Sequence, residues 1–165
     1  MSKSVVFGSV NVDYVAQVER LPGPGETIKT DHYEALPGGK GANQALAAAR
    51  NAARTSMVGA VGSDGLEAVS LRQLSADGVD VSAVKTRDGA SGLAMIAVDA
   101  KGENQIVVVS GANASAAASD VPVLATSDAL VTQNEISWSQ TAAAHAAAKQ
   151  TGSTVIHNAA PAHAL

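Results

Sequence analysis

The stretch ALPGGKGANQALAAARNAA, residues 35–53, sets three glycines and a lysine directly in front of an alanine-rich run. Alanine and leucine favour helix, and Leu46, Ala49 and Arg50 recur at helical spacing, so residues 41–53 read as a helix entered through a glycine turn. The turn is not a P-loop, which needs G-x-x-x-x-G-K-[ST], because Lys40 is followed by Gly41. Nor is it G-x-G-x-x-G, because Gly39-x-Gly41 continues with Ala42, Asn43 and Gln44. Two readings stay open. The unpaired N–H groups and positive dipole end of a helix start suit an oxygen-rich ligand, with Lys40 adding a mobile charge and Asn43 both a donor and an acceptor. Alternatively, the glycines merely permit a tight turn, and Asn43 is an ordinary polar residue of the first helical turn.

Outward from this stretch, strand and helix signals alternate. Residues 4–8 (SVVFG) read as a buried strand, residues 10–18 alternate less cleanly, and ERLPGPGET (19–27) is a Pro/Gly turn. Residues 27–36 mix polar and apolar side chains and read as an exposed strand. A strand is expected over 55–60. A helix follows over 66–77, stopped by Gly78, with Leu66, Val69, Leu71 and Leu74 inward and Glu67 and Arg72 outward. Residues 92–98 and 105–109, joined by DAKGEN, form a hairpin. GANASAAASD (111–120) passes for a low-complexity linker. A strand over 129–132, a helix over 137–150 with Ser137 as N-cap, and a strand over 154–157 complete the series.

This β-α-β spacing predicts an α/β fold with a largely parallel sheet covered by helices. The segments around Tyr14, Tyr33, Leu93 and Val107 fall outside the rhythm and predict a separate antiparallel patch, a lid or a dimerisation sheet. TVIHNAAPAHAL (154–165) completes a strand and enters a loop, so the helix that would follow it is expected to be missing from the sheet.

Composition narrows the class. A chain of 165 residues suffices for one domain, which buries roughly 70% of its unfolded surface. The hydrophobic fraction is 46%, but much of it is alanine, which removes little area from water, and the aromatics are Phe7, Tyr14, Tyr33 and Trp138. A net charge of −4 without any basic run argues against nucleic acid or an anionic membrane as partner. The absence of cysteine removes disulfides and thiolate metal sites. The first apolar run, broken by Gly8 and Asn11, fits a strand and not a signal peptide, and no segment is long enough to span a bilayer. The expectation is a soluble, cytoplasmic protein.

Three places carry candidate chemistry. The glycine turn is one. The second is GSVNVD (8–13), where a buried strand runs into Asn11-x-Asp13 and sets two short polar side chains on one face beyond its carboxyl end. Open α/β sheets bind ligands there. Carboxylate and amide oxygens accept from vicinal hydroxyls, so the pair suits a polyol; a plain Asx-turn is the competing reading. The third is VTQNEIS (131–137), whose Glu135 either faces the same crevice or answers a helix dipole. His32, His145, His157 and His163 have no metal-ligand spacing, and His145 reads as a solvent-facing residue of an alanine helix.

Taken in order, GSVNVD, LPGPGET, HYEALPGGKGANQALAAAR, VGSDG, GVD, SGLAMIAVDAKGENQIVVVSGANA, TQNE and NAAPA resemble the ribokinase (PfkB) family of carbohydrate kinases over essentially the whole chain. GGKGANQA together with PGPGET is the most specific part. The resemblance implies a ribokinase-like, Rossmann-type, mostly parallel sheet flanked by helices, with a small antiparallel lid sheet from strands near 13–18, 27–36, 92–98 and 105–109. Residues 1–165 would be the N-terminal portion of that domain, a truncated form about half the family's length. It implies that Asn11 and Asp13 bind sugar hydroxyls, that Gly39, Lys40, Gly41, Ala42 and Asn43 form the sugar-side turn, and that Glu135 is a further hydroxyl contact. The implied reaction is phosphoryl transfer from ATP, with Mg2+ and a monovalent cation, to the 5-hydroxyl of ribose. A different sugar or a nucleoside as substrate, and a non-catalytic sugar-binding or dimerisation module, are the alternatives, and the lid strands would also carry a homodimer. The family's D-T-x-G-A-G-D-like motif, with its general-base aspartate, does not occur in this sequence, and no catalytic residue is assigned. Without that base, a loss of about 10²–10⁴-fold is expected. Glu67 stands where a glycine is usual, and Ala159 makes NAAPA of the family's NPAPA.

Overall fold

Val5, Val6 and Phe7 are fully buried, because strand β1 (Ser4–Phe7) runs through the middle of a five-stranded sheet. The structure, a computed structural model, describes residues 2–162; His163 lies outside them. The remaining strands are β2 (Asn11–Gln17), β3 (Tyr33–Gly38), β4 (Thr55–Gly62), β5 (Asp80–Arg87), β6 (Gly92–Val98), β7 (Asn104–Val109), β8 (Ala129–Gln133) and β9 (Thr154–Asn158). The helices are α1 (Lys40–Arg50), α2 (Glu67–Ala76) and α3 (Trp138–Gln150). The large sheet has the order β5-β4-β1-β8-β9 and every pairing in it is parallel.

Alternation along β1 divides the core into two layers. Val5 and Phe7 pack with Val58, Leu130 and the α3 residues Ala144 and Ala148, while Val6 packs with Met57, Leu74 and the α1 residues Ala42 and Ala45. A parallel sheet needs cover on both faces, and alanine-lined helices supply it at close range.

The small sheet has the order β3-β2-β6-β7. Its β2–β3 and β6–β7 pairs are antiparallel as expected, but β2 and β6 run parallel, so the sheet is mixed. Register sets Asp13, Leu36, Ala94 and Val108 on one face and Tyr14, Ala35, Met95 and Val107 on the other.

Several sequence expectations need correction. Residues 27–32 are not strand; β3 begins at Tyr33. Helix α1 stops at Arg50 because Ala52 takes a left-handed φ of 63° and turns the chain out of the helix. Strand β5 is not among the strands expected from the sequence: its half-exposed edge position admits Asp80, Lys85 and Arg87, which blur its pattern. Residues 111–120 are no linker, since they form two 3₁₀ turns, Gly111–Ser115 and Ala118–Asp120, and bury Ala112, Asn113 and Ala116. On α2 the wholly buried residues are Ser70 and Leu74, and Glu67 is half-buried, not outward. Ser137 occupies the N-cap position of α3, but its hydroxyl pairs with that of Ser139 instead of a backbone N–H. Among the described residues no helix is long and apolar enough to cross a membrane.

Candidate functional site

The chain leaves the large sheet at the end of β1 and enters the small one at Asn11, and α1 begins against that crossing. Gly39 has a φ of 93°, and a Cβ there would stand 2.8 Å from the Ser9 carbonyl oxygen. A Cβ on Gly41 would stand 2.7 Å from the backbone of Ser9. These glycines let two backbones touch.

At the helix start the N–H groups of Lys40, Gly41 and Ala42 are engaged outside the helix, and that of Asn43 closes its first turn. Lys40 N–H donates to Glu135 Oε2 at 2.9 Å, and Gly41 N–H to Ser9 Oγ at 3.2 Å. Ala42 N–H donates to the Ser9 carbonyl at 3.0 Å, and Asn43 N–H to the Gly39 carbonyl at 2.9 Å. Nucleotide phosphates bind helix starts through such N–H groups. Here the N–H groups of Lys40, Gly41 and Ala42 are already taken and are not free to cradle a phosphate.

Glu135 is the centre of this clasp. It accepts from Ser9 Oγ at 2.5 Å and from Lys40 Nζ at 2.7 Å, besides the Lys40 N–H. Burial pushes its carboxyl up, but the hydrogen bonds from Lys40 and Ser9 outweigh burial and hold it below the ordinary range. Asp13 has the opposite setting. It is half-buried, Gly38 leaves the space its carboxylate fills, and its Oδ1 is buried with no hydrogen-bond partner among the described residues. Burial, then the negative charge of Glu135, push the Asp13 carboxyl up, and Lys40 pulls it partly back. Those electrostatic interactions place Asp13, Lys40 and Glu135 in one neighbourhood.

Asn11 is buried and accepts at Oδ1 from Asn113 Nδ2 at 2.7 Å. Of the residues singled out in the sequence, the structure thus gathers Asn11, Asp13, Gly39, Lys40, Gly41 and Glu135 around the crossing. Ala42 lies beneath the turn in the core, and Asn43 is exposed on the first turn of α1. Sequence reasoning missed Ser9, Gly38, Gly92 and Asn113. Ser9 and Gly38 sit beside residues already singled out, so their neighbours were the available signal. Asn113 was hidden in the alanine-rich run.

His145 is also corrected. It is half-buried, with Nε2 2.7 Å from Thr132 Oγ1, and His157 Nδ1 approaches the same hydroxyl at 2.9 Å. Trp138 lies edge-on to both imidazoles. Burial, followed by the charges of His157 and Lys149, lowers the His145 pKa. Among the described residues no group of three or more His, Cys, Asp or Glu side chains could hold a metal ion.

Comparison with known proteins agrees with this architecture. The profile of the pfkB family carbohydrate kinases matches residues 1–164. The chain is 38% identical to the ribokinase of Staphylococcus aureus, covering 99% of this chain and 56% of that protein. The crystal structure of the Cryptococcus neoformans ribokinase in complex with ADP is 37% identical with a TM-score of 0.87, covering 99% of this chain and 53% of that one. The Arabidopsis thaliana ribokinase complexed with ribose and ATP is 31% identical with a TM-score of 0.80, covering 95% and 53%. The chain spans about half the length of these relatives. The fold is thus shared with these ribokinases, and the chain belongs to the pfkB family of carbohydrate kinases.

Proposed function

We propose that these residues form the sugar-recognising part of a cytoplasmic ribokinase, an enzyme that transfers the terminal phosphoryl group of ATP to the 5-hydroxyl of D-ribose. The observation that carries the reading is the buried, unpartnered Oδ1 of Asp13. A buried acceptor without a donor costs about 1–3 kcal/mol, which a ligand hydroxyl would recover. Identity above 30% to ribokinases, one of them complexed with ribose and ATP, supports ribose as the sugar.

In this mechanism Asp13 accepts from a sugar hydroxyl, and Asn11 binds its neighbour. Gly39, Lys40, Gly41 and Ala42 wall the sugar with backbone, while Asn43 reaches it from the first turn of α1. Glu135 holds Lys40 by two hydrogen bonds, fixing the turn and presenting Lys40 and its own carboxylate to the remaining hydroxyls. Bound MgATP, with a monovalent cation, supplies the transferred group and its charge neutralisation. The N–H groups of Lys40, Gly41 and Ala42 are engaged within the protein and do not fit its phosphates. The small sheet would close over the sugar with the face that carries Asp13. Its other face, with Tyr14, Tyr33, Met95 and Val107, would meet a second copy.

Calorimetric titration of the chain with D-ribose, D-fructose and adenosine tests the reading. Saturable heat is expected with ribose first, because hydroxyl recognition is built before any nucleotide arrives. A chain silent to ribose at millimolar concentration overturns the assignment, and preferential binding of adenosine or fructose moves it to another sugar or nucleoside within the family.

A further inference from the structure

Asn113, in the 3₁₀ turn Gly111–Ser115, is 2% exposed and gives its whole side chain to the segment that opens β2. Its Oδ1 accepts from Val10 N–H at 2.9 Å. Its Nδ2 donates to the Val10 carbonyl at 3.2 Å and to Asn11 Oδ1 at 2.7 Å.

The two ends of a side-chain amide have nearly the same shape and opposite hydrogen-bonding character. At Asn113 the choice is dictated by backbone, since only an oxygen can accept from the Val10 N–H and only an NH2 can donate to the Val10 carbonyl. That polarity passes outward. An NH2 faces Asn11, so Asn11 must turn its carbonyl towards Asn113. Asn11, itself 4% exposed, is left with Nδ2 to offer, and this group has no protein partner among the described residues. Gly92 makes the arrangement possible, because a Cβ there would collide with both Asn113 Nδ2 and Asn11 Oδ1.

We infer that Asn113 is a positioning residue which fixes Asn11 as a hydrogen-bond donor. The site then presents unlike groups, a donor from Asn11 and an acceptor from Asp13, two residues apart on one face of β2. That pair suits a neutral diol, in which one hydroxyl oxygen accepts while its neighbour donates. The sequence alone suggested two acceptors. The identity of the guest rests on the sugar-binding reading above; the relay from Val10 through Asn113 to Asn11 does not.

The test has two arms. In the isotopically labelled chain without ligand, a scalar coupling across the hydrogen bond is expected between Asn113 Nδ2 and Asn11 Cγ, and its absence overturns the relay. Asn11→Asp is isosteric and replaces the donor by an acceptor. It should weaken D-ribose binding roughly tenfold or more, the equivalent of one lost hydrogen bond. The loss should persist at about 0.5 M salt, where repulsion from Asp13 is screened. Binding as tight as the parent's, or restored by salt, overturns the donor assignment. If the parent itself binds no ribose, the sugar reading fails separately and the coupling alone decides the relay.

Discussion

Asp13 is a carboxylate whose surroundings favour its proton: burial and Glu135 raise its pKa above the ordinary 3.8, and only Lys40 opposes them. Because the folded form holds that proton more tightly than the unfolded one, this residue's contribution to stability falls as pH rises through its folded pKa. Glu135 behaves in reverse: its lowered folded pKa contributes stability above its unfolded value, lost as pH falls through the folded one. Sugar binding needs Asp13 ionised as an acceptor. Ribose affinity is therefore expected to fall on acidification at a pH above the usual aspartate range, as read by calorimetry across pH. Asp13→Asn should remove most of that dependence, lower affinity roughly 10–100-fold and leave the melting temperature equal or higher. The Asn11-x-Asp13 pair was legible because strand side chains alternate, so two residues apart means one face. Asn113 was not, because Val10 lies 103 residues before it and no local pattern announces such a contact.

At the scale of the element, α1 shows what propensity can and cannot reveal. Its alanines and Leu46 announce a helix, but Gly39 is required by contact with Ser9, a residue of a different segment. Gly39→Ala would impose a left-handed φ on a residue with a Cβ and press it against the Ser9 carbonyl. Destabilisation of about 2–3 kcal/mol is expected in urea denaturation. Sugar binding should also be lost as the Ser9–Glu135–Lys40 clasp shifts. The hairpin of β6 and β7 was readable from its DAKGEN connection. Strand β5 was not, because half-exposed edge strands tolerate charge and lose their alternation. The segment 111–120 misled for a compositional reason: small residues look like a linker until Ala112 and Ala116 are seen packed against Phe7 and Val58.

In the whole molecule, the alternation of strands and helices sufficed to predict the large parallel sheet, whereas the parallel β2–β6 pairing joins segments that local patterning cannot match. The small sheet is apolar on both faces, with Ile106 and Val108 on one and Met95 and Val107 on the other, all exposed. Val107, 59% exposed, is the position at which to test the proposed pairing of copies. Sedimentation should show the parent chain as a dimer and Val107→Glu as a monomer, with ribose binding per chain retained; a parent that stays monomeric at high concentration ends the proposal.

The self-contained clasp at the head of α1 also predicts how ionic strength acts. A helix start that captured an anion would weaken steadily as electrolyte is added, because mobile ions compete for the same field. Here the ammonium and backbone N–H of Lys40 are matched to Glu135 across 2.7–2.9 Å, and the proposed guest carries no charge. Ribose affinity should stay nearly flat from about 0.05 to 0.5 M sodium chloride. Sugar acids and sugar phosphates should be turned away throughout, since two carboxylates against one ammonium leave the locality net negative.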